Sequence, residues 1–450
     1  MSPLPAALLI ALAASAPGAA PLPPLTLDDA LALSARSSAE LAGARADQDA
    51  SAADRTNAWS GVLPRLDLSA SFAKNHAGPS QPKYVFFGGQ AFPVAGGPAT
   101  TTSDYNAGLQ LVQPVFDWRA FREIDRAGAA ARAVDRQYGE AVLTVAFTVT
   151  QRFYELLKAE RTLAVLEATT RRSEELVDRA DALFAAGRAP KSETWSARAN
   201  LSQDRINAEA QRIQVAAART ALAQAMGTRD AGEGLEVVAP ATLDAPGIPD
   251  AEPPPLADLL ERAREKRPTL GAQRALVEAS QAAVGSAQAG WFPTLSAQGT
   301  YTRNAQNLTG AGGVYDDPTR DYTATAQLVL SWNLFAGRST QAGVQRAEAS
   351  LSRARADRDR TELQVEKELA DARTRVVTLG RQIGLATDAL RVAREALALA
   401  GERLQAGLAS QLEVRDASLK LTQAELAVAQ TRIDHAVAVA DLARAAGGAF

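Results

Sequence analysis

Four short stretches of this chain alternate apolar and polar residues with period two, and longer stretches repeat apolar residues at spacings of three and four. The first pattern predicts strands with one apolar face, the second helices that pack through a seam. Leu66, Leu68, Ala70 and Phe72 alternate with Arg65, Asp67, Ser69 and Ser71. Tyr105, Ala107, Leu109 and Leu111 alternate with Asn106, Gly108 and Gln110. Two further strands are predicted over Thr294–Thr302 and Tyr322–Trp332. Alternation over about nine to eleven residues is the length and pattern of a membrane β-strand, with lipid on one face and water on the other. A half-buried sheet in a soluble protein alternates in the same way. Against that reading, no strand here is followed by the short apolar-faced helix that would cover it.

The helices are long. No proline interrupts Arg119–Ala185, and none follows Pro318. About 65 residues at about 1.5 Å each would span on the order of 100 Å. Leu369, Ala372, Val376, Leu379, Ile383, Ala386, Leu390, Ala393, Leu397, Ala400 and Leu404 form a coiled-coil seam of mixed large and small residues. The return helix offers Leu412, Leu419, Leu426, Ala429, Ile433, Ala436 and Ala440 in the same register, with Arg415 and Thr422 filling gaps. An earlier helix carries a patchier version from Leu156 to Phe184, interrupted by Thr170 and Ser173.

These elements come in the same order twice. Gly61-Val62-Leu63-Pro64-Arg65-Leu66 returns as Gly290-Trp291-Phe292-Pro293-Thr294-Leu295. Leu109-Gln110-Leu111 with Phe116 and Arg119 returns as Leu328-Val329-Leu330 with Phe335 and Arg338. Ala186-Gly187 with Glu193 returns as Ala406-Gly407 with Glu413. The reading is one duplicated fold, with repeats at 25–227 and 256–446 joined by a linker at 228–255. The Gly/Pro-rich stretch between residues 76 and 103 is expected to be a loop. A first helix is expected from about Leu27 to Asn57, opened by a Thr26–Asp29 capping box, and its counterpart from Leu256 past Pro268 toward Ala289.

Composition narrows the function. The 450 residues carry a net charge of −3, which supplies no basic field for nucleic acid. Cysteine is absent, excluding disulfides, thiolate metal sites and a cysteine-linked lipid anchor. The two histidines, His76 and His435, fall on a predicted loop and a helix face. Residues 1–20 read as a signal peptide, apolar from Ala6 to Ala14 and then small, though no Lys or Arg precedes the apolar stretch. The alternative is an Ala/Pro-rich leader. No run of about 18 apolar residues predicts a transmembrane helix. Ser71-Phe72-Ala73-Lys74 and Gly310-Ala311-Gly312-Gly313 match catalytic and phosphate-binding patterns only in isolation, so no catalytic residue, cofactor or metal site is expected.

Aromatic residues are expected to gather in two girdles: Phe72, Tyr105, Tyr301 and Tyr322 at one end of the strands, and Trp118, Trp291, Trp332, Phe116, Phe292 and Phe335 at the other. Four strands cannot close a barrel, and open edges are not tolerated in lipid, so several copies must assemble. Gly187 and Gly407 end the outgoing helices. Pro190 opens one return helix at a first-turn position, and Ser410 with Glu413 caps the other. Glu413 and Asp416 share one helical face at the tip.

Leu27-Asp28-Asp29-Ala30-Leu31, Arg267-Pro268-Thr269-Leu270, the strand-opening Pro64 and Pro293, and the tip glycines together resemble the outer-membrane efflux proteins, the TolC-like channel-tunnels. The resemblance implies an α+β membrane protein: a homotrimer whose twelve strands form one barrel, four from each chain, above a periplasmic tunnel of coiled-coil hairpins. It implies a location in the outer membrane, against outer-membrane lipid, and partnership with a periplasmic adaptor (membrane fusion) protein and an inner-membrane transporter. The tip glycines would receive the adaptor. Glu413 and Asp416, with Glu193 in the first repeat, would line the pore entrance; as capping acids at a helix N-terminus they are equally explained. Leu404 and Ala409 stand where better-known members carry a gate tyrosine and arginine, so other links, involving Arg188 or Arg415, would hold the entrance. The function implied is an export duct of a tripartite pump or type I secretion system. The alternatives are a coiled-coil adhesin stalk and a periplasmic scaffold.

Overall fold

The computed structural model describes residues 25–228, 235–240, 243, 253–310 and 312–448. The signal-peptide reading of residues 1–20, much of the 228–255 segment and Ala311 of the glycine-rich tetrapeptide lie outside them. The chain divides into two compact units. One comprises residues 47–135 and 272–360, the other residues up to 46, 136–271 and 361 onward.

The first unit holds a four-stranded antiparallel sheet, order β1-β4-β5-β6, built from Arg65–Ala77, Thr100–Phe116, Thr294–Ala305 and Tyr322–Ser331. Register follows the alternation: Leu66, Leu68 and Phe72 face Leu111, Leu109 and Tyr105, and Leu109 faces Tyr301 in turn. A slip by one residue would turn every apolar side chain to the other face. Between β1 and β4, where only a loop was expected, Lys83–Phe87 (β2) and Gln90–Val94 (β3) form a hairpin. Its strands alternate too weakly to be seen by period, because both faces are apolar. No helix of the described residues is long and apolar enough to cross a membrane.

The second unit is helical. The expected first helix is in fact two, Leu27–Ser37 (α1) and Ala39–Trp59 (α2), broken where Ser38 takes an extended conformation. Thr26 caps α1 as expected, accepting from the Asp29 backbone at 3.2 Å and donating to its carboxylate at 2.6 Å. The counterpart breaks too, at Arg267, into Leu256–Lys266 (α5) and Pro268–Gln288 (α6). The residue before a proline is disfavoured in the helical region, which accounts for the second break. Both breaks lie under a glycine. Gly227 (φ +73°) ends α4, Lys191–Met226, and a side chain there would strike the Ser37 carbonyl. Gly447 (φ +91°) lies just beyond α8, Gln411–Ala445, and a side chain there would meet the Arg267 backbone at 2.8 Å.

The two remaining helices are α3, Trp118–Ala185, and α7, Ser339–Gln405. One core joins Leu41, Val149, Phe153, Leu222, Met226 and Ile433; another joins Leu259, Leu270, Leu369, Val376 and Leu442. The α7 seam is buried as expected at Leu369, Ala372, Val376, Ile383, Ala393 and Ala400. The α8 seam holds in part: Thr422 and Ile433 are buried, but Leu412 and Leu419 at its start are exposed. Leu412 is 77% exposed, and Val414, Ala417, Leu421 and Ala424 face α7 instead. The cause is that α8 has two neighbours and buries two stripes, so a single heptad does not describe it. Its second stripe carries Ser418, Thr422 and Ile433, while the buried His435 lies on the α7 side, close to Gly380. Part of the linker is also structured, since Leu25 and Val237 form an isolated parallel bridge.

Candidate functional site: the helix tips and the gap between them

The two hairpin tips are built alike. Gly187 (φ +69°) donates to the Phe184 carbonyl at 2.9 Å, and Arg188 donates to Leu183 O at 2.8 Å. Gly407 (φ +74°) donates to Leu404 O at 3.0 Å, and Leu408 donates to Arg403 O at 2.8 Å. Left-handed backbone at both turns is why glycine stands there. A β-carbon at either would meet nothing within 4 Å. The tips are therefore open to a partner on the outside, with no contact inside the chain to occupy them. Pro190 occupies the cap position of α4 rather than its first turn, and Ser410 caps α8 through the Glu413 backbone at 3.3 Å.

The tip acids are not bare. The Glu413 carboxylate receives Arg403 from α7 at 2.8 Å, and Asp416 receives Lys420 at 2.7 Å. Both pairs are largely exposed and contribute little stability, but each offsets an acid that would otherwise add to a negative ring. Glu193, half-buried, lies elsewhere: it lines a cavity of about 260 Å³ together with Ser192, Asn200, Ser410, Gln411 and Arg415. The Gln411 side-chain amide is buried there without a hydrogen-bond partner.

Beside that cavity, which Arg415 also lines, is a buried polar link of the helical unit. Arg415 donates to both oxygens of Asp204 (2.7 and 3.0 Å) and to the Ser173 hydroxyl (2.9 Å), while Ser173 donates to Asp204 at 2.5 Å. The Arg415 and Asp204 side chains are 12% and 6% exposed. Three helices, α3, α4 and α8, meet at this point. Two turns on, the Thr169 and Thr422 hydroxyls lie 2.8 Å apart, and Arg172 reaches Thr422 and Glu425. Both gap-filling residues of the α8 sequence pattern, Arg415 and Thr422, thus find polar partners in the first repeat. Asp204 escaped the sequence reading, although an acid at seam spacing from Ala197, Ala208 and Val215 was the available signal. Arg188, the other residue expected to hold the entrance, is exposed at the tip.

The aromatic residues pair across strands. Phe72 lies 4.8 Å from Tyr105 and Tyr301 5.3 Å from Tyr322 at one end of the sheet. At the other, Trp118 lies 5.5 Å from Phe292, and Trp332 donates to the Trp291 carbonyl at 3.2 Å. Ser71 and Lys74 are exposed on opposite faces of β1, and no cluster of metal-binding side chains exists among the described residues.

Comparison with known proteins decides the family. The outer membrane efflux protein profile matches residues 30–228 and 259–448. This chain belongs to the outer membrane efflux protein family. It is similar to outer membrane protein OprJ of Pseudomonas aeruginosa, 26% identical over 79% of this chain and 72% of that one. It is also similar to the proteases secretion protein PrtF of Dickeya chrysanthemi, 24% identical over 88% and 84%. Among solved structures, the outer-membrane channel OprN superposes with a TM-score of 0.77 at 22% identity, covering 94% of this chain and 90% of that one. VceC of Vibrio cholerae gives 0.76 at 20%, covering 94% and 96%. The efflux protein is thus an outer-membrane channel component with the TolC-like fold, and its tips, cavity and buried ion pair belong to that frame.

Proposed function

We propose that this efflux protein is the passive exit duct of a tripartite efflux pump or type I secretion system, a homotrimer that carries out no chemical step. The carrying observation is the sheet. Leu66, Leu68, Leu328 and Leu330 are 66%, 76%, 73% and 66% exposed, and neither edge strand, β1 or β6, has a second neighbour. An apolar face this bare is stable in lipid, where open edges are not, so copies must close the sheet into a barrel. Two copies would give eight strands, just the practical minimum, and three give twelve, the number that the resemblance to the channel-tunnels implies. The ring is continuous, built from two repeats per chain at 25–227 and 256–446. Tyr105, Tyr301 and Tyr322 would mark one lipid boundary and Trp118, Trp291 and Trp332 the other.

The helical unit supports the same ring. α3 packs on α4 and on α8, and α8 packs on α7, which leaves α4 and α7 outermost. Gly187 and Gly407 would receive a periplasmic adaptor, and the Arg415–Asp204 pair would hold the two hairpins of each chain together at the entrance. OprJ and PrtF are named for the outer membrane and for protease secretion respectively, which suits a duct of either kind. Purification in mild detergent should give a trimer that fractionates with outer membranes. A monodisperse monomer with intact sheet content would sink the proposal.

A further inference from the structure

The β2–β3 hairpin is the one part of the sheet unit that the duct does not explain. It prolongs the β1–β4 ribbon without a slip in register. Ala77 faces Thr100, Ser80 donates to Gly97 O at 3.0 Å, and Lys83 faces Val94. The ribbon ends at Gly88-Gly89, both with positive φ, as a two-residue hairpin turn requires. Its composition is unusual for a water-exposed tip. One face carries Val85, Phe87, Phe92 and Val94 between Lys83 at the neck and Gln90 at the turn, the other Tyr84 and Phe86 beside Ala91 and Pro93. Tyr84, Phe86, Phe87 and Phe92 are 66%, 74%, 82% and 49% exposed.

An isolated two-stranded hairpin is at best marginally stable in water, and one apolar on both faces needs a partner on each. Lipid is a poor candidate. A polar belt of Lys74, Asn75, His76, Ser103 and Asp104 separates the tip from the Phe72–Tyr105 pair. At about 3.3 Å per residue, Tyr84 lies roughly 40 Å of ribbon beyond that pair. Lys83 is also the hairpin's single charge, too little to engage an anionic headgroup layer. The hairpin is instead continuous with β1, the edge that another copy must cover.

We propose that the hairpins of three copies converge over the outer mouth and cover one another, each apolar face meeting one neighbour, to make an apolar constriction there. This rests on the trimeric duct. In a ring of three every hairpin has two neighbours, which matches two apolar faces. The reach suffices. Between Gly78 and Pro82 on one strand and Ala95 and Pro98 on the other lies a neck whose prolines cannot donate to the ladder. From neck to tip is about 20 Å, against a radius of about 12 Å for twelve strands spaced 4.8 Å and tilted about 40°. A ribbon bent at the neck therefore reaches the axis. Such a constriction would part for cargo driven from below and reseal behind it, since hydrophobic constrictions gate by excluding water.

The absence of cysteine makes the test clean. Gln90→Cys at the tip and Asn75→Cys in the polar belt are treated with a short bis-maleimide in purified trimer and in outer membranes. The proposal expects up to about two thirds of the Gln90→Cys chains to run as covalent dimer, since a two-armed linker leaves one thiol of three unpaired, and the Asn75→Cys chains to stay monomeric. Phe87→Cys repeats the test from the facing strand. A trimer that leaves Gln90→Cys and Phe87→Cys monomeric, or links Asn75→Cys equally well, overturns it. So does quenching, by nitroxides in the lipid phase, of a fluorophore attached to the thiol of the Gln90→Cys variant, which would put the hairpin in the membrane. Absence of a trimer would instead overturn the duct reading itself.

Discussion

At the scale of single residues, the buried ion pair matters more than the exposed acids. Arg415→Met leaves the Asp204 carboxylate 6% exposed with only Ser173 to hold it. Removing one partner of a buried pair costs about 3–5 kcal/mol, whereas replacing both with apolar groups is often neutral. Arg415→Met should therefore lower the thermal transition of the helical unit markedly, and Arg415→Met with Asp204→Leu should recover most of the loss. If the double variant is as unstable as the single one, the site is valued for packing alone. The acids at the tip call for the opposite experiment. With Arg403 on Glu413 and Lys420 on Asp416, the proposed trimer would bring little net charge to its entrance. Arg403→Gln should free three carboxylates and raise the cation selectivity of the reconstituted channel. Glu413→Gln alone should change selectivity less. Equal selectivity in wild type and Arg403→Gln would remove Glu413 from the pore.

At the scale of elements, what could be read in the sequence depended on how many neighbours each element has. The strands alternate with one apolar face and α7 packs through one seam. Their periods located β5 and β6 to within a few residues, while β1 runs on to Ala77 and β4 spans Thr100–Phe116, well beyond the alternating stretches. α8 packs through two faces, so the stripe chosen from spacing proved exposed at Leu412 and Leu419 yet buried at Thr422 and Ile433, and the other stripe, Val414 to Ala424, went unread. The β2–β3 hairpin is apolar on both faces and showed no period at all. The break at Ser38 was hidden because no proline marks it, and Gly227 allows the end of α4 to lie against it; the break at Arg267 was marked by Pro268 and was read through. The first hairpin adds a signal that was present and unread. Arg198, Arg205, Arg212 and Arg219, seven apart, meet Asp181, Glu174, Glu167 and Glu160, also seven apart. Exposed pairs contribute about 0.2–1 kcal/mol each, so this ladder chiefly fixes the register of α3 against α4. The tips, by contrast, were legible because only glycine suits their backbone. Gly407→Ala carries the strain of a left-handed residue, about 1 kcal/mol, without bulk. Gly407→Trp adds the bulk. If the tips receive an adaptor, the alanine variant should export nearly normally and the tryptophan variant poorly, at equal levels of assembled channel. Equal export by the two variants would count against docking there.

At the scale of the whole molecule, the outermost helices should reveal how copies meet. α4 exposes Trp195, Ile206 and Ile213, at 59%, 60% and 68%, and Ile206 and Ile213 are one heptad apart. α7 exposes Leu385, Val392 and Leu399, at 71%, 55% and 56%, again at heptad spacing. Neither stripe belongs to the seam its helix uses within the chain, so each reads as half of a second coiled-coil seam. In the proposed ring of identical copies unlike surfaces would meet, α4 of one chain against α7 of the next, as β1 would meet β6. A head-to-tail contact has a consequence that a symmetric one lacks: damage to either surface breaks every interface in the ring. Ile206→Ser with Ile213→Ser on α4, and Leu385→Ser with Val392→Ser on α7, should each weaken every junction. Burial of one such side chain is worth about 1.5–3 kcal/mol, so each double variant should lose about 3–6 kcal/mol per junction. Both should dissociate to monomer in mild detergent at a lower temperature than wild type, by similar amounts. Combining the two pairs should add little, because the same contacts are removed from both sides. If the α4 variant dissociates early and the α7 variant does not, the stripes do not face each other and the ring is closed by the barrel alone.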